Sequence, residues 1–205
     1  MANNRRRSQN RNLKPKIHIS YEGAVTEKDY ITILKNLFPL DSYNIDIIGQ
    51  KKHLSDPLSI LNHHKNQVKK STYNKRDIEV IIIDREENNN RRIEQIRPLV
   101  EWRNSDRSKR ILIINSTCFE YWLLCHYVDN PKCKTTKQIN ESIKKIWPDY
   151  GKALRKSISR DQVIKASERA KKLASFEQMI NSEICGSNMY ELIDLLLKIE
   201  KEESR

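Results

Sequence analysis

Ile78-Glu79-Val80-Ile81-Ile82-Ile83-Asp84-Arg85-Glu86 decides the fold. Residues 78–83 are apolar and β-branched almost without a break. That composition suits a strand covered on both faces, and such strands belong to parallel sheets with helices on either side. The run stops at Asp84. Asp84 and Glu86 are two residues apart, so in extended backbone they point the same way, with Arg85 opposite and set for an ion pair.

A second acid ends a second run of this kind. Residues 16–22 read as a strand with Ile17, Ile19 and Tyr21 on one face and His18, Ser20 and Glu22 on the other. Gly23 then permits a tight turn. Thr26, with Asp29 three residues on, predicts a helix start, and Tyr30, Ile33, Leu34 and Leu37 form an apolar stripe to about Phe38. Further out, residues 44–49 and 110–114 read as strands, and 57–70 and 90–103 as helices. Asp56-Pro57 opens the first of those helices. Thr117 and Glu120 have capping-box spacing, which predicts a helix over 117–128, apolar nearly all round and so buried. Pro131 and the basic 132–137 segment form a loop, and helices follow at 135–146, 159–181 and 188–203. Tyr21 and Tyr30 suit core packing better than base stacking. Met189, Leu192, Ile193, Leu196 and Leu197 make a stripe on the final helix that suits docking on the domain, a partner, or a second copy as a homodimer.

Strand and helix alternate to residue 128 and only helices follow. The expected fold class is α/β: a parallel sheet of about four strands flanked by helices over 15–130. A disordered basic arm over 1–14 precedes it, and an α-helical extension over 131–205 packs on it.

The 205-residue chain carries a net charge of +12. Arg5, Arg6, Arg7, Arg11, Lys14 and Lys16 stand in the first 16 residues with no acid, and supply half of that excess. A basic arm on a basic body favours a polyanionic partner, nucleic acid (RNA or DNA) before others. Cys118, Cys125, Cys133 and Cys185 form no CxxC pair, which argues against zinc. No signal peptide or long apolar run is present, so the expected location is the cytoplasm, with no membrane partner.

In open parallel sheets, sites form where loops leave the carboxyl ends of strands. If the first and third strands are neighbours, Glu22 approaches Asp84 and Glu86. Carboxylates at close range repel unless a cation sits between them, and an all-oxygen set suits Mg²⁺ or Mn²⁺. The plainer reading is of ordinary loop acids. Lys152, Arg155, Lys156 and Arg160 form a basic cluster, read as a phosphate clamp or as a solvated face. Arg5, Arg6 and Arg7 would add phosphate contacts from the arm. Glu120 reads as a cap or a site acid. His126 reads as a core histidine or a proton-transfer group.

Several stretches resemble a family. A Glu-Gly after the first strand and an Asp-x-acid after the third look like the Toprim fold shared by topoisomerases, primases and OLD-type nucleases. The closer resemblance is to the RloB-like branch, over roughly 14–200. It is carried by Glu22-Gly23-Ala24-Val25-Thr26-Glu27 with Tyr30, by Asp84-Arg85-Glu86, by Asn115 to His126 with its Phe119-Glu120-x-Trp122-Leu123-Leu124-x-His126 core, by Tyr150-Gly151-Lys152, and by Asn188 to Leu192. The chain departs from that pattern at Glu86, where Asp is usual, at Ala24, where Glu is common, and at Thr117, where Pro is frequent.

The resemblance implies a Toprim-like domain with Mg²⁺-dependent phosphodiester chemistry. Glu22, Asp84, Glu86 and Glu120 would be metal ligands, with Glu22, Lys152 and His126 catalytic. It further implies anti-phage defence, an ABC/SMC-like ATPase partner protein, and a nuclease acting on nucleic acid, with RNA and tRNA as the expected substrates. Topoisomerase chemistry needs a tyrosine domain and primases a zinc module, and neither is in the chain. The alternative is a catalytically weak nucleic-acid-binding or sensor subunit of the ATPase complex, which Glu86 in place of Asp supports.

Overall fold

A computed structural model describes residues 13–23, 25–49, 56–72, 74–86, 90–151, 154, 157–181 and 184–205. Arg5, Arg6, Arg7, Lys152, Arg155 and Lys156 lie outside the described residues, as does the arm up to residue 12. Four strands form one sheet: β1 (Lys16–Tyr21), β2 (Asn44–Ile47), β3 (Ile78–Asp84) and β4 (Arg110–Asn115). Their order is β2-β1-β3-β4 and every pairing is parallel. The isoleucine-rich β3 lies inside the sheet, as its composition demands. The α/β class read from the sequence is the fold found.

Helices cover both faces: α1 (Thr26–Leu37), α2 (Pro57–Lys70), α3 (Asn90–Ser105), α4 (Glu120–Cys125), α5 (Thr136–Ile146), α6 (Arg160–Lys171), α7 (Phe176–Asn181) and α8 (Tyr190–Glu203). Alternation along the strands divides the core in two. Ile17, Ile19, Tyr21, Val80, Ile82 and Ile113 face α1, α4, α5, α6 and α8. Ile81, Ile83, Leu112 and Ile114 face α2 and α3, with Phe176 of α7. Each such fully buried isoleucine contributes roughly 1.5–3 kcal/mol. The stripe of α8 is spent here, since Met189, Leu192, Ile193 and Leu196 are buried in the first core. That side of α8 is therefore not a surface for a second copy. Among the described residues no helix is long and apolar enough to cross a membrane.

Three helix starts differ from the sequence reading. Thr26 is the first residue of α1 and not its cap; Val25 holds the cap position without a side-chain bond. Thr117 and Glu120 form no capping box, because α4 spans only Glu120–Cys125 and Phe119 precedes it in helical backbone. Residues 115–117 are held elsewhere: Ser116 N donates to Gly186 O at 2.9 Å, and the Thr117 hydroxyl lies 3.8 Å from Cys185 Sγ. The expected 159–181 helix is two helices. Ser175 and Gln178 bond reciprocally and open α7, a Ser-x-x-Gln signal inside the run.

The α2 face holds a buried polar ladder. Ser20 Oγ lies 2.8 Å from His64 Nδ1, His64 Nε2 lies 3.2 Å from Glu79 Oε2, and Arg110 Nε donates to Glu79 at 3.1 Å. The order matches a nucleophile, base and acid. Ser20 is only 2 % exposed, so no substrate reaches its hydroxyl, and the ladder ties α2 to the sheet.

His126 sits in the other core. Trp122 O accepts from Nδ1–H at 3.1 Å, which leaves Nε2 to accept from the Tyr30 hydroxyl at 3.0 Å. Both nitrogens are engaged inside the core, and this favours the packing role over catalysis. Burial pushes its pKa down to about 4 and lowers that of His64. A histidine neutral in the fold takes up a proton on unfolding, so the stability it contributes is intact above its ordinary value near 6.5 and is lost as pH falls toward 4. Urea titrations of His126→Gln between pH 6.5 and 5 should therefore show a shallower loss than the parent, by up to about 1.4 kcal/mol per pH unit. An equal loss would mean that the ring is already protonated in the fold.

Candidate active site

The β1–β3 register puts Tyr21 beside Ile82 and so carries Glu22 to the end of β3. Glu22 N donates to Ile82 O at 3.0 Å, and Asp84 N donates to Glu22 Oε2 at 3.0 Å. The β3–β4 register places Asp84 opposite Asn115, whose side-chain amide donates to Asp84 Oδ1 at 3.0 Å. Ser187 Oγ donates to Asn115 Oδ1 at 2.7 Å and thereby orients that amide. The segment before α8 thus reaches back to set the direction of Asp84.

Glu27 enters from the first turn of α1. Gly23 N donates to its Oε1 at 3.1 Å, and a Cβ on Gly23 would fall on the Glu27 carboxylate. No described glycine has positive φ. Gly23 thus leaves room for the Glu27 carboxylate in its present position, and does not serve a left-handed turn. Glu120, at the head of α4, accepts from the Tyr150 hydroxyl at 2.9 Å. Glu86 departs from extended geometry at φ 64°, an uncommon left-handed value for a side-chain-bearing residue, and its side chain is about half exposed. Asp84 and Glu86 therefore do not share a strand face as their spacing suggested.

Glu22, Glu27, Asp84, Glu86 and Glu120 line one cleft of about 370 Å³, with Thr26, Thr117, Cys118, Phe119 and Thr136 among its other walls. No lysine or arginine is among the described residues of that lining. Arg92, from the first turn of α3, stands behind it and is nearly buried. Its guanidinium pairs with Glu22, donates from Nε to Asp84 O at 3.0 Å, and comes within 4.0 Å of Glu86 Oε1. Burial and the Glu27 and Glu22 charges push Asp84 well above the usual carboxylate range. Burial raises Glu22 against the pull of Arg92. Burial, with Glu120 and Glu22 close by, pushes Glu27 up to about 7.

A divalent cation suits this chemistry, because it would relieve carboxylates that now raise one another. The carboxylates share the cleft without forming a finished ligand set. Among the described residues no three His, Cys, Asp or Glu side chains are gathered closely enough to hold a metal ion.

Of the other residues singled out in the sequence, Arg160 is engaged elsewhere. Its guanidinium forms a two-pronged pair with Glu200 and lies 4.8 Å from the Phe38 ring centre, so it ties α6 to α8. Arg85 is buried and donates to the carbonyls of Ser116 and Met179. Glu27 and Arg92 were not singled out. Each had a signal: Glu27 is an acid one turn past a strand-end Glu-Gly, and Arg91-Arg92 is a basic pair at a helix start, where the helix dipole favours acids.

A family model described as RloB-like protein matches residues 17–196. The chain belongs to the RloB-like family. No curated protein and no solved structure matches the chain. The family match begins inside β1 and ends inside α8, so it spans all five cleft carboxylates, Arg92 and the Ser187–Asn115 support.

Repulsion in the cleft has a measurable consequence for this RloB-like protein. In metal-free buffer at neutral pH, Asp84→Asn should raise stability by about 0.5–2 kcal/mol, seen as a higher melting temperature. The amide keeps an acceptor for Asn115 and removes one of the crowded charges. A lower melting temperature would show that Asp84 supports the fold and is not held there under repulsion.

Proposed function

We propose that this protein is a metal-dependent nuclease that hydrolyses phosphodiester bonds of nucleic acid, with RNA, including tRNA, as the favoured substrate. The supporting observation is the contrast between a cleft lined by five carboxylates, Asp84 raised well above its usual range among them, and a chain of net charge +12. A polyanion drawn to the basic body meets an acidic cleft that repels phosphate until a cation neutralises it.

In this reading Asp84, held by Asn115, would be the principal ligand, and Glu22 and Glu120 would be its partners in holding the ion. Glu86 is the outlying member. Mg²⁺ or Mn²⁺ would supply the Lewis acid and lower the pKa of a bound water. Glu27, pushed to about 7, is poised to hold or release a proton near neutral pH, a role the sequence reading gave to Glu22. Arg92 keeps the Glu22 carboxylate beside the Asp84 backbone. The family resemblance supports a setting in cytoplasmic anti-phage defence with an ABC/SMC-like ATPase as partner.

A second reading has its own support. The absence of a gathered ligand set among the described residues, and the outward turn of Glu86, suit a binding or sensor subunit of such an ATPase complex that cuts weakly or not at all.

Labelled RNA and DNA incubated with purified protein and Mn²⁺ or Mg²⁺ separate the two. Cleavage should fall about 100-fold or more in Glu22→Gln and in Asp84→Asn, in line with loss of a general acid–base or ligand group. Cleavage that survives both substitutions would exclude the carboxylate mechanism. Binding without cleavage, with the ATPase present or absent, would favour the sensor reading.

A further inference from the structure

A second cleft, of about 560 Å³, lies beyond α4 from the acidic one. That volume falls within the range of small-ligand sites, about 300–1,000 Å³. Lys132, Lys134 and Lys172 line it together with Leu173 and Ile184, and no aspartate or glutamate is among its described lining residues. The three lysines are exposed, and Ile184 is 41 % exposed.

The neighbouring cations are used differently. Arg160 pairs with Glu200, Arg169 with Asp129 and Lys171 with Asp194. Among the described residues, none of the three cleft ammonium groups forms such a pair. Three ammonium groups outside those pairs thus line one concavity, where positive charge attracts anions more strongly than on a convex surface.

The two clefts adjoin at three points. Glu120 lines the acidic one and the next residue, Tyr121, lines the basic one. Thr117 lines the acidic one, and its hydroxyl lies 3.8 Å from Cys185, which lines the basic one. The 132–134 segment lines the basic cleft and Thr136 lines the acidic one.

We propose that the basic cleft binds the strand flanking the scissile phosphate, as a single-stranded segment. The inference rests on the nuclease reading for what happens at the carboxylates, and on the basic cleft itself for the binding. Lys132, Lys134 and Lys172 hold backbone phosphates, while Leu173 and Ile184 receive an unpaired sugar or base. A duplex hides its base faces and offers phosphates, sugar hydroxyls and groove edges, so an apolar wall beside lysines favours the single strand. This cleft supplies the cationic contact that the carboxylate cleft lacks.

The test is fluorescence anisotropy of a labelled single-stranded RNA of about 15 nucleotides, within the span of known single-strand sites. EDTA is present throughout, so that no cleavage intervenes. The Lys132→Glu/Lys134→Glu/Lys172→Glu protein should bind at least ten-fold more weakly, and its slope of log K against log salt should be shallower by about 2. The matching Lys→Arg triple should retain affinity. Lys144→Glu/Lys145→Glu/Lys198→Glu carries the same charge change at exposed positions outside the cleft and should lose less. Unchanged affinity in the first variant, or an equal loss in the last, would overturn the site. A duplex bound as tightly as the single strand would overturn the strand preference. Failure of the nuclease reading shows separately, as intact binding with no cleavage in Mn²⁺.

Discussion

Like-charge crowding at the carboxyl ends of β1 and β3 is the constraint around which the structure is built. The parallel register brings Glu22 to the Asp84 backbone, and Glu27 and Glu120 close the cleft from two helices. Left alone, such a group costs stability, because each carboxylate raises the free energy of ionising the next. The fold offsets this in three ways. Arg92 neutralises Glu22 from behind, Asn115 donates to Asp84, and the missing Cβ of Gly23 lets Glu27 approach the chain. Repulsion that a fold retains in this way is the usual mark of a functional site.

The scaffold is suited to holding such a site in place. Both faces of the sheet are buried, so the strand ends that carry Glu22 and Asp84 are anchored by two packed cores. The C-terminal part of the chain contributes beyond packing. Gly186, Ser187 and Asn188 bond to Ser116, Asn115 and the backbone of β4, and through Asn115 they reach Asp84. The same stretch carries Cys185 and Ile184 into the basic cleft. A substitution near 184–188 therefore acts on both clefts.

The sheet was legible in the sequence because strand composition and strand burial are the same fact. The unbroken isoleucines of 78–83 imply cover on both faces, and that implies parallel neighbours and a site at Asp84. Ile17, Ile19 and Tyr21 were placed on the correct face by alternation alone. Local capping signals did less well where distant contacts compete. Thr117 is drawn to Cys185, so its capping box with Glu120 is not formed. The Ser175-Gln178 box lies inside a run that reads as one helix and was passed over. At the site, Glu22, Asp84 and Glu120 could be named because they end or begin elements. Glu27 carried only a weak signal, as an acid one turn past Glu22-Gly23, since its role depends on the space beside Gly23. Arg92 could not be paired with Glu22, 70 residues away in the chain, before the register of β1 against β3 was known. The backbone of Glu86 is turned by φ 64°, which the spacing rule for strands has no means of expressing.

The charge distribution divides the work between two surfaces. In the proposed reading the acidic cleft would supply the proton and cation chemistry but repels phosphate, while the basic cleft, with no carboxylate among its described lining residues, would hold phosphate. The proposed function turns on whether the crowding around Asp84 receives a divalent ion. Anomalous diffraction from crystals soaked in Mn²⁺ tests that most directly. The account predicts a manganese peak in the cleft, bonded to Asp84 and to at least one of Glu22 and Glu120, with Glu22 drawn off Arg92. A cleft without a peak at millimolar Mn²⁺, with the Arg92–Glu22 pair intact, would contradict it.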